Sequence, residues 1–110
     1  MVEDYSKEVK ELIKANIKNG FEYGKSEKYL SYRVGATKGE IEKEIADCQN
    51  LTYTDKRNID GEIRYTLYFV YNKRKGKVYS ITFREKIRII TTFPLGKRTI
   101  KKYFKKRFKK

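Results

Sequence analysis

The sequence predicts an α+β domain: two N-terminal helices packed on one face of a four-stranded antiparallel sheet, followed by a short basic C-terminal helix. Three observations predict it. Apolar residues recur at helical spacing up to about residue 50, then at a period of two from residue 51. Turn signals divide that second stretch at intervals suited to a meander. Helices that precede a run of strands argue α+β with the helices segregated to one face. At 110 residues, with 38% hydrophobic and 38% charged content, the chain fits a single domain over 1–110 with one modest core.

Each element has a local cause. Ser6 is placed to cap a first helix running to Asn19, in which Val9, Leu12, Ile13 and Ile17 form one stripe and Gly20 supplies the stop. Residues 20–27 read as a loop, and Tyr29, Leu30 and Arg33 as a short helical turn. Thr37 followed by Glu40 is a capping-box signature. The helix it opens buries Ile41, Ile45 and Cys48 and presents Glu40, Glu42, Lys43, Glu44 and Asp47 as a solvated face. Strands follow at Leu51–Arg57, Glu62–Asn72, Lys77–Arg84 and Ile87–Phe93, with turns at 58–61, 73–76 and 85–86. Pro94 cannot donate to a ladder and is expected to end the last strand. Thr99–Lys109 has the pattern of a final helix, with Ile100, Tyr103, Phe104 and Phe108 on one stripe and lysine or arginine almost everywhere else.

Charge is the strongest functional signal. Residues 1–50 carry nine Lys/Arg against ten Asp/Glu, and residues 51–110 carry nineteen against four. The net charge of +14 therefore resides in the second half, and the tail 97–110 holds no acidic residue. Such a field attracts polyanions, and release of counterions from phosphates drives salt-sensitive binding to nucleic acid. On the sheet face away from the helices, Arg64, Tyr68, Ser80, Thr82, Arg84, Arg88 and Thr92 are expected to converge. Arginine forks among hydroxyls suit phosphate oxygens.

Composition excludes several chemistries. The chain has no His and one Cys, so a Ser-His triad, a His acid/base pair and an internal disulfide are ruled out, and a structural zinc site is not expected. The four carboxylates of the second half, Asp55, Asp60, Glu62 and Glu85, show no spacing for a Mg²⁺ pair. No cofactor or metal is expected. The lone Cys48 points to a reducing compartment and reads as buried filler. No apolar run is long enough to span a bilayer and the acidic start lacks a signal core, so a cytoplasmic protein with no membrane partner is expected.

The second half resembles the RelE group of toxin ribonucleases: a meander, then Gly96-Lys97-Arg98, then Tyr103. Arg33-Val34-Gly35-Ala36-Thr37, the helix after it and Ile89-Ile90-Thr91-Thr92-Phe93-Pro94 resemble, more broadly, the barnase–EndoU–colicin–RelE superfamily, so the likeness spans roughly residues 30–104. Members of that superfamily often carry a His in the first helical region, which this chain lacks. The resemblance implies a metal-independent endoribonuclease toxin of a toxin–antitoxin pair. Its partners would be RNA, in several such proteins messenger RNA on the ribosome, and an acidic antitoxin. By position, Arg98 matches the family's arginine and Tyr103 its tail tyrosine.

A His-free mechanism is chemically sound. The ribose 2′-hydroxyl is the internal nucleophile, and arginine or lysine stabilises the charge growing on the phosphate. A tyrosine among cations gains ionised character, so Tyr103 or Tyr68 suits the base, and Lys97 or a lysine of 73–77 suits the acid. The expected catalytic set is Arg98, Tyr103, Arg84 and Tyr68; Arg64, Lys73, Lys75, Arg88, Lys97, Lys101 and Lys102 are expected to hold RNA. The alternative is a non-catalytic RNA- or DNA-binding protein using the same basic face, with Tyr68, Tyr71 and Tyr79 as stacking surfaces.

Overall fold

The computed structural model describes residues 3–104 and, of Tyr103, the backbone alone. Its elements run α1 (Ser6–Asn16), a 3-10 turn (Ile17–Asn19), β1 (Phe21–Tyr23), α2 (Glu27–Val34), α3 (Lys38–Asp47), β2 (Leu51–Ile59), β3 (Glu62–Val70), β4 (Gly76–Phe83), β5 (Ile87–Leu95) and α4 (Lys97–Phe104). The α+β class holds. The sheet, however, has five strands in the order β1-β5-β4-β3-β2, and three helices precede the meander. The extra strand is β1, in the stretch expected to be a loop, and it pairs parallel to β5 through Phe21–Ile87, Glu22–Arg88 and Tyr23–Ile89.

Local chemistry explains the boundaries. Ser6 is not the cap of α1 but its first residue; Tyr5 is the N-cap, with no side-chain cap bond, and Asp4 before it accepts from the Ser6 backbone N–H at 3.0 Å and from the Thr54 N–H at 3.1 Å, which ties the helix start to β2. Gly20 closes the 3-10 turn at φ +85°. The expected turn at Tyr29–Arg33 is a full helix, capped by Ser26 and ended by Gly35 in the left-handed region. At Thr37 the capping box is complete, with Thr37 and Glu40 satisfying each other's backbone N–H. Cys48 is buried but sits at the C-cap of α3 rather than inside it. Asp60 and Gly61, both at positive φ, make the two-residue turn between Ile59 and Glu62, which matches the twist of a hairpin. Pro94 stays within β5; beyond Ile89 that strand has no β1 partner, so the missing N–H faces an open edge.

Both faces of the sheet are covered, unequally. The main core joins Val9 and Ile13 of α1, Leu30 of α2 and Ile41 and Ile45 of α3 to Tyr65, Leu67, Phe69, Tyr79, Ile81, Ile87 and Ile89. A second, smaller cluster lies on the opposite face, where Ile100 of α4 packs on Val70, Val78 and Leu95, with Tyr68, Phe93 and Phe104 around it. The basic C-terminal helix is thus present, but it starts at Lys97 and lies on the face expected to be wet; the rest of the predicted Thr99–Lys109 helix falls outside the described residues. Among the described residues no helix is long and apolar enough to cross a membrane.

Candidate nucleic-acid interface

Register fixes the outer face row by row. Arg64, Thr82 and Arg88 share one row, Thr66, Ser80 and Thr91 the next, then Tyr68, Val78 and Phe93, and finally Val70, Gly76 and Leu95. A bulge sets this pattern: Ser80 pairs with Thr91 and Ile81 with Ile89, so Ile90 is the extra residue. It reverses the alternation of β5, which is why Thr92, expected on the outer face, points the other way and donates to the Leu30 carbonyl at 2.7 Å. Gly76 is required at its place, because a Cβ there would stand 2.7 Å from the Phe69 carbonyl oxygen.

The first rows are charged, and their arginines are paired internally, Arg64 and Arg84 sharing one carboxylate. Glu62 accepts from Arg64 Nε at 2.6 Å and from Arg84 Nη2 at 2.7 Å. The two guanidinium groups, Arg84 first, hold its carboxyl below the ordinary range. Arg88 pairs with Glu22 of β1 at 2.6 Å, and Arg57 with Asp55 at 2.9 Å. Thr82 is buried and donates to the Ile63 carbonyl at 2.7 Å. Pairs this exposed contribute little to stability, because water screens them. Their consequence is for binding: a phosphate arriving at Arg64, Arg84 or Arg88 meets a carboxylate already in place.

The opposite end is different. The β3–β4 hairpin carries Lys73, Arg74 and Lys75 on an exposed turn, stiffened by Asn72, whose side-chain oxygen accepts from the backbone N–H of Arg74 and Lys75. Because Gly76 pairs with Leu95, this tip and the start of α4 lie at the same end of the sheet. Lys97, Arg98, Lys101 and Lys102 are exposed on α4, whose apolar side is fixed by Ile100, 1% exposed. Among the described residues, Lys73, Arg74, Lys75, Lys97, Arg98 and Lys101 form no ion pair. The structure therefore splits the expected RNA-binding set: Lys73, Lys75, Lys97, Lys101 and Lys102 belong to this end, Arg64 and Arg88 to the paired one. Of the expected catalytic set, Arg98 lies here and Arg84 at the far end. Tyr68 is half-buried between Tyr53 and Phe104, at ring distances of 5.7 and 5.8 Å, and the side chain of Tyr103 lies outside the described ones.

The tyrosines of the helix-covered face serve the fold. The Glu44 carboxylate accepts from Tyr79 at 2.5 Å and also from Tyr71; Glu8 accepts from Tyr65 at 2.5 Å, and Glu42 from Tyr23 at 2.7 Å. Glu42 and Glu44 are thus not part of a solvated helix face but half-buried anchors of α3 on the sheet. Tyr79 is 0% exposed and cannot stack on a base, and Tyr71 is half-buried with its hydroxyl bonded. Burial, with the adjacent carboxylate, pushes the phenols of Tyr23, Tyr65, Tyr71 and Tyr79 well above their ordinary value; burial also raises that of Tyr53. None of these five is suited to be a base.

Other aromatics are exposed. Tyr32 is 85% and Tyr29 48% exposed on α2, and the Arg33 guanidinium stands 5.7 Å from the Tyr29 ring and 6.0 Å from that of Phe93. The spacing 29, 32, 33 marks one helix face and was the available sequence signal. A cleft of about 640 Å³ at the β2–β3 turn has an apolar floor of Ile63, Tyr65 and Phe83, but its cations Lys56 and Arg84 are paired with Glu8 and Glu62. Among the described residues no three His, Cys, Asp or Glu side chains gather as a metal-holding group. Comparison with protein-family models, curated proteins and solved structures gives no match.

Proposed function

We propose that this protein binds nucleic acid through the end of the sheet where the β3–β4 hairpin meets α4. One observation carries the reading: among the described residues Lys73, Arg74, Lys75, Lys97, Arg98 and Lys101 are exposed together there without a carboxylate partner, whereas Arg57 and Arg88 each have one and Arg64 and Arg84 share one. Exposed, unpaired cations held on a stiff turn and a docked helix neutralise phosphates at little ordering cost. Titrating labelled RNA with the protein over a range of salt tests this. Tight binding with a steep negative salt dependence is expected; binding that ignores salt would refute it.

A second reading is the endoribonuclease toxin held by an acidic antitoxin. It is favoured by the position of Arg98, exposed and unpaired two residues before the buried anchor Ile100, where a guanidinium can meet a scissile phosphate. The resemblance of Gly96-Lys97-Arg98 and Tyr103 to the RelE group supports it as well. The base would be Tyr68 or Tyr103, since the other sheet phenols are pushed the wrong way. RNA incubated with the protein and EDTA decides the matter. This reading expects fragments ending in 2′,3′-cyclic phosphate that vanish with Arg98→Ala; bound but intact RNA leaves the binding reading alone.

A further inference from the structure

We infer that the exposed face of α2 is a stacking site for an unpaired base, which makes the preferred ligand single-stranded; this rests on the nucleic-acid reading above. Tyr32 is 85% exposed and Tyr29 48%, whereas Tyr5, Tyr23, Tyr53, Tyr65, Tyr68, Tyr71 and Tyr79 are half-buried or buried. Neither Tyr29 nor Tyr32 belongs to a hydrophobic cluster, so packing does not explain two large rings on one helix face. Arg33 sits beside them and makes no ion pair among the described residues; its guanidinium lies against the rings of Tyr29 and Phe93, and its Nη1 donates to the Tyr29 hydroxyl at 3.5 Å.

The chemistry around the rings suits a nucleotide. Lys28, one turn before Tyr32, is exposed, and a shallow groove beside Tyr32 is bordered by Lys28 and Lys38. Glu27 and Glu40 border the same groove and keep their charge, accepting from the Ser31 hydroxyl and the Thr37 N–H; among the described residues neither is ion-paired with Lys28 or Lys38. A ring and a guanidinium plane can each hold a base face, while the flanking lysines meet the sugar–phosphate chain. In a duplex the base faces are already stacked on each other, so rings projecting from a helix select unpaired strands. The site is also continuous with the cationic end. Phe93, which carries Arg33, packs into the same cluster that Ile100 closes under α4.

The test compares a fluorescently labelled uridine oligomer with an RNA duplex of equal length, by anisotropy at matched salt. Four proteins are needed: wild type, Tyr29→Ala/Tyr32→Ala, Tyr29→Phe/Tyr32→Phe and Lys97→Ala/Arg98→Ala. The alanine pair should lose roughly 10- to 100-fold in single-strand affinity, the size of one or two base–aromatic stacks, with duplex affinity and salt slope unchanged. The phenylalanine pair should retain the wild-type preference, and circular dichroism confirms that each variant is folded. The lysine–arginine variant should weaken both ligands together. If the alanine pair binds single strands as wild type does, or loses both ligands equally, the stacking site is wrong and the cationic reading survives. If wild type binds neither RNA, both fall.

Discussion

At one end of the sheet's outer face Arg64, Arg84 and Arg88 are locked to Glu62 and Glu22; at the other, Lys73, Arg74, Lys75, Lys97, Arg98 and Lys101 meet no carboxylate among the described residues. The residue types are alike and the strands are shared, yet only the second end offers its charge to a ligand. What separates them is where the few acidic residues of the strands fall. Glu62 opens β3 and Glu22 lies on β1, so both sit at the same end. At the far end the apolar row Val70, Gly76 and Leu95 instead takes a helix whose solvent side is basic. Net charge alone thus does not describe the surface; the distribution of cations relative to carboxylates is what the proposed binding end rests on.

The comparison breaks most severely at Ile100. Ile100→Ala removes the buried anchor of α4, and unfolding in urea should show a loss of about 2–5 kcal/mol. Affinity for RNA should fall with it, because Lys97, Arg98 and Lys101 are then no longer held in place. Glu44→Ala acts on the other face. It leaves the phenols of Tyr71 and Tyr79 without their acceptor, at a cost of about 1–3 kcal/mol each by the same urea measurement. RNA affinity measured well below the unfolding midpoint should not change.

Alkaline pH tests these two phenols together with Tyr23 and Tyr65. Tyr23, Tyr65, Tyr71 and Tyr79 have folded values raised above the unfolded value of about 10. The unfolded chain therefore releases those protons first. Their contribution to stability is complete below about pH 10 and is lost as pH rises above it. Urea midpoints should drop between neutral pH and about pH 11, and Tyr79→Phe should drop less. The smallest effect is the most pointed. Glu62→Gln frees Arg64 and Arg84 from their shared carboxylate, and should steepen the dependence of log affinity on log salt by roughly 1 to 2.

The parts of the fold that were legible are local. The capping box at Thr37, the stop at Gly20, the Asp60-Gly61 turn and the period-two strands are each written within a few residues. What escaped depends on partners distant in sequence. β1 exists because three residues find β5 in parallel, and Glu22 reaches Arg88 across 66 positions. The reversal of Thr92 comes from a bulge that no propensity marks. Glu44 reads as a solvated charge until the sheet brings two phenols to it. For the site, the lysines of the hairpin and tail were legible from charge, and the carboxylate pairing of Arg64, Arg84 and Arg88 was not. The open rings of Tyr29 and Tyr32 stood on a helix read as a single turn.

The most direct test compares two sets of substitutions on one salt titration of RNA binding. Lys73→Ala, Lys75→Ala, Lys97→Ala and Arg98→Ala together should flatten the salt slope by roughly 3 and weaken binding about 100-fold or more near 0.1 M salt. Arg64→Ala, Arg84→Ala and Arg88→Ala together should leave the slope within about 1 of wild type. Equal losses from both sets, or a larger loss from the second, would contradict the division of the outer face into a paired end and a binding end.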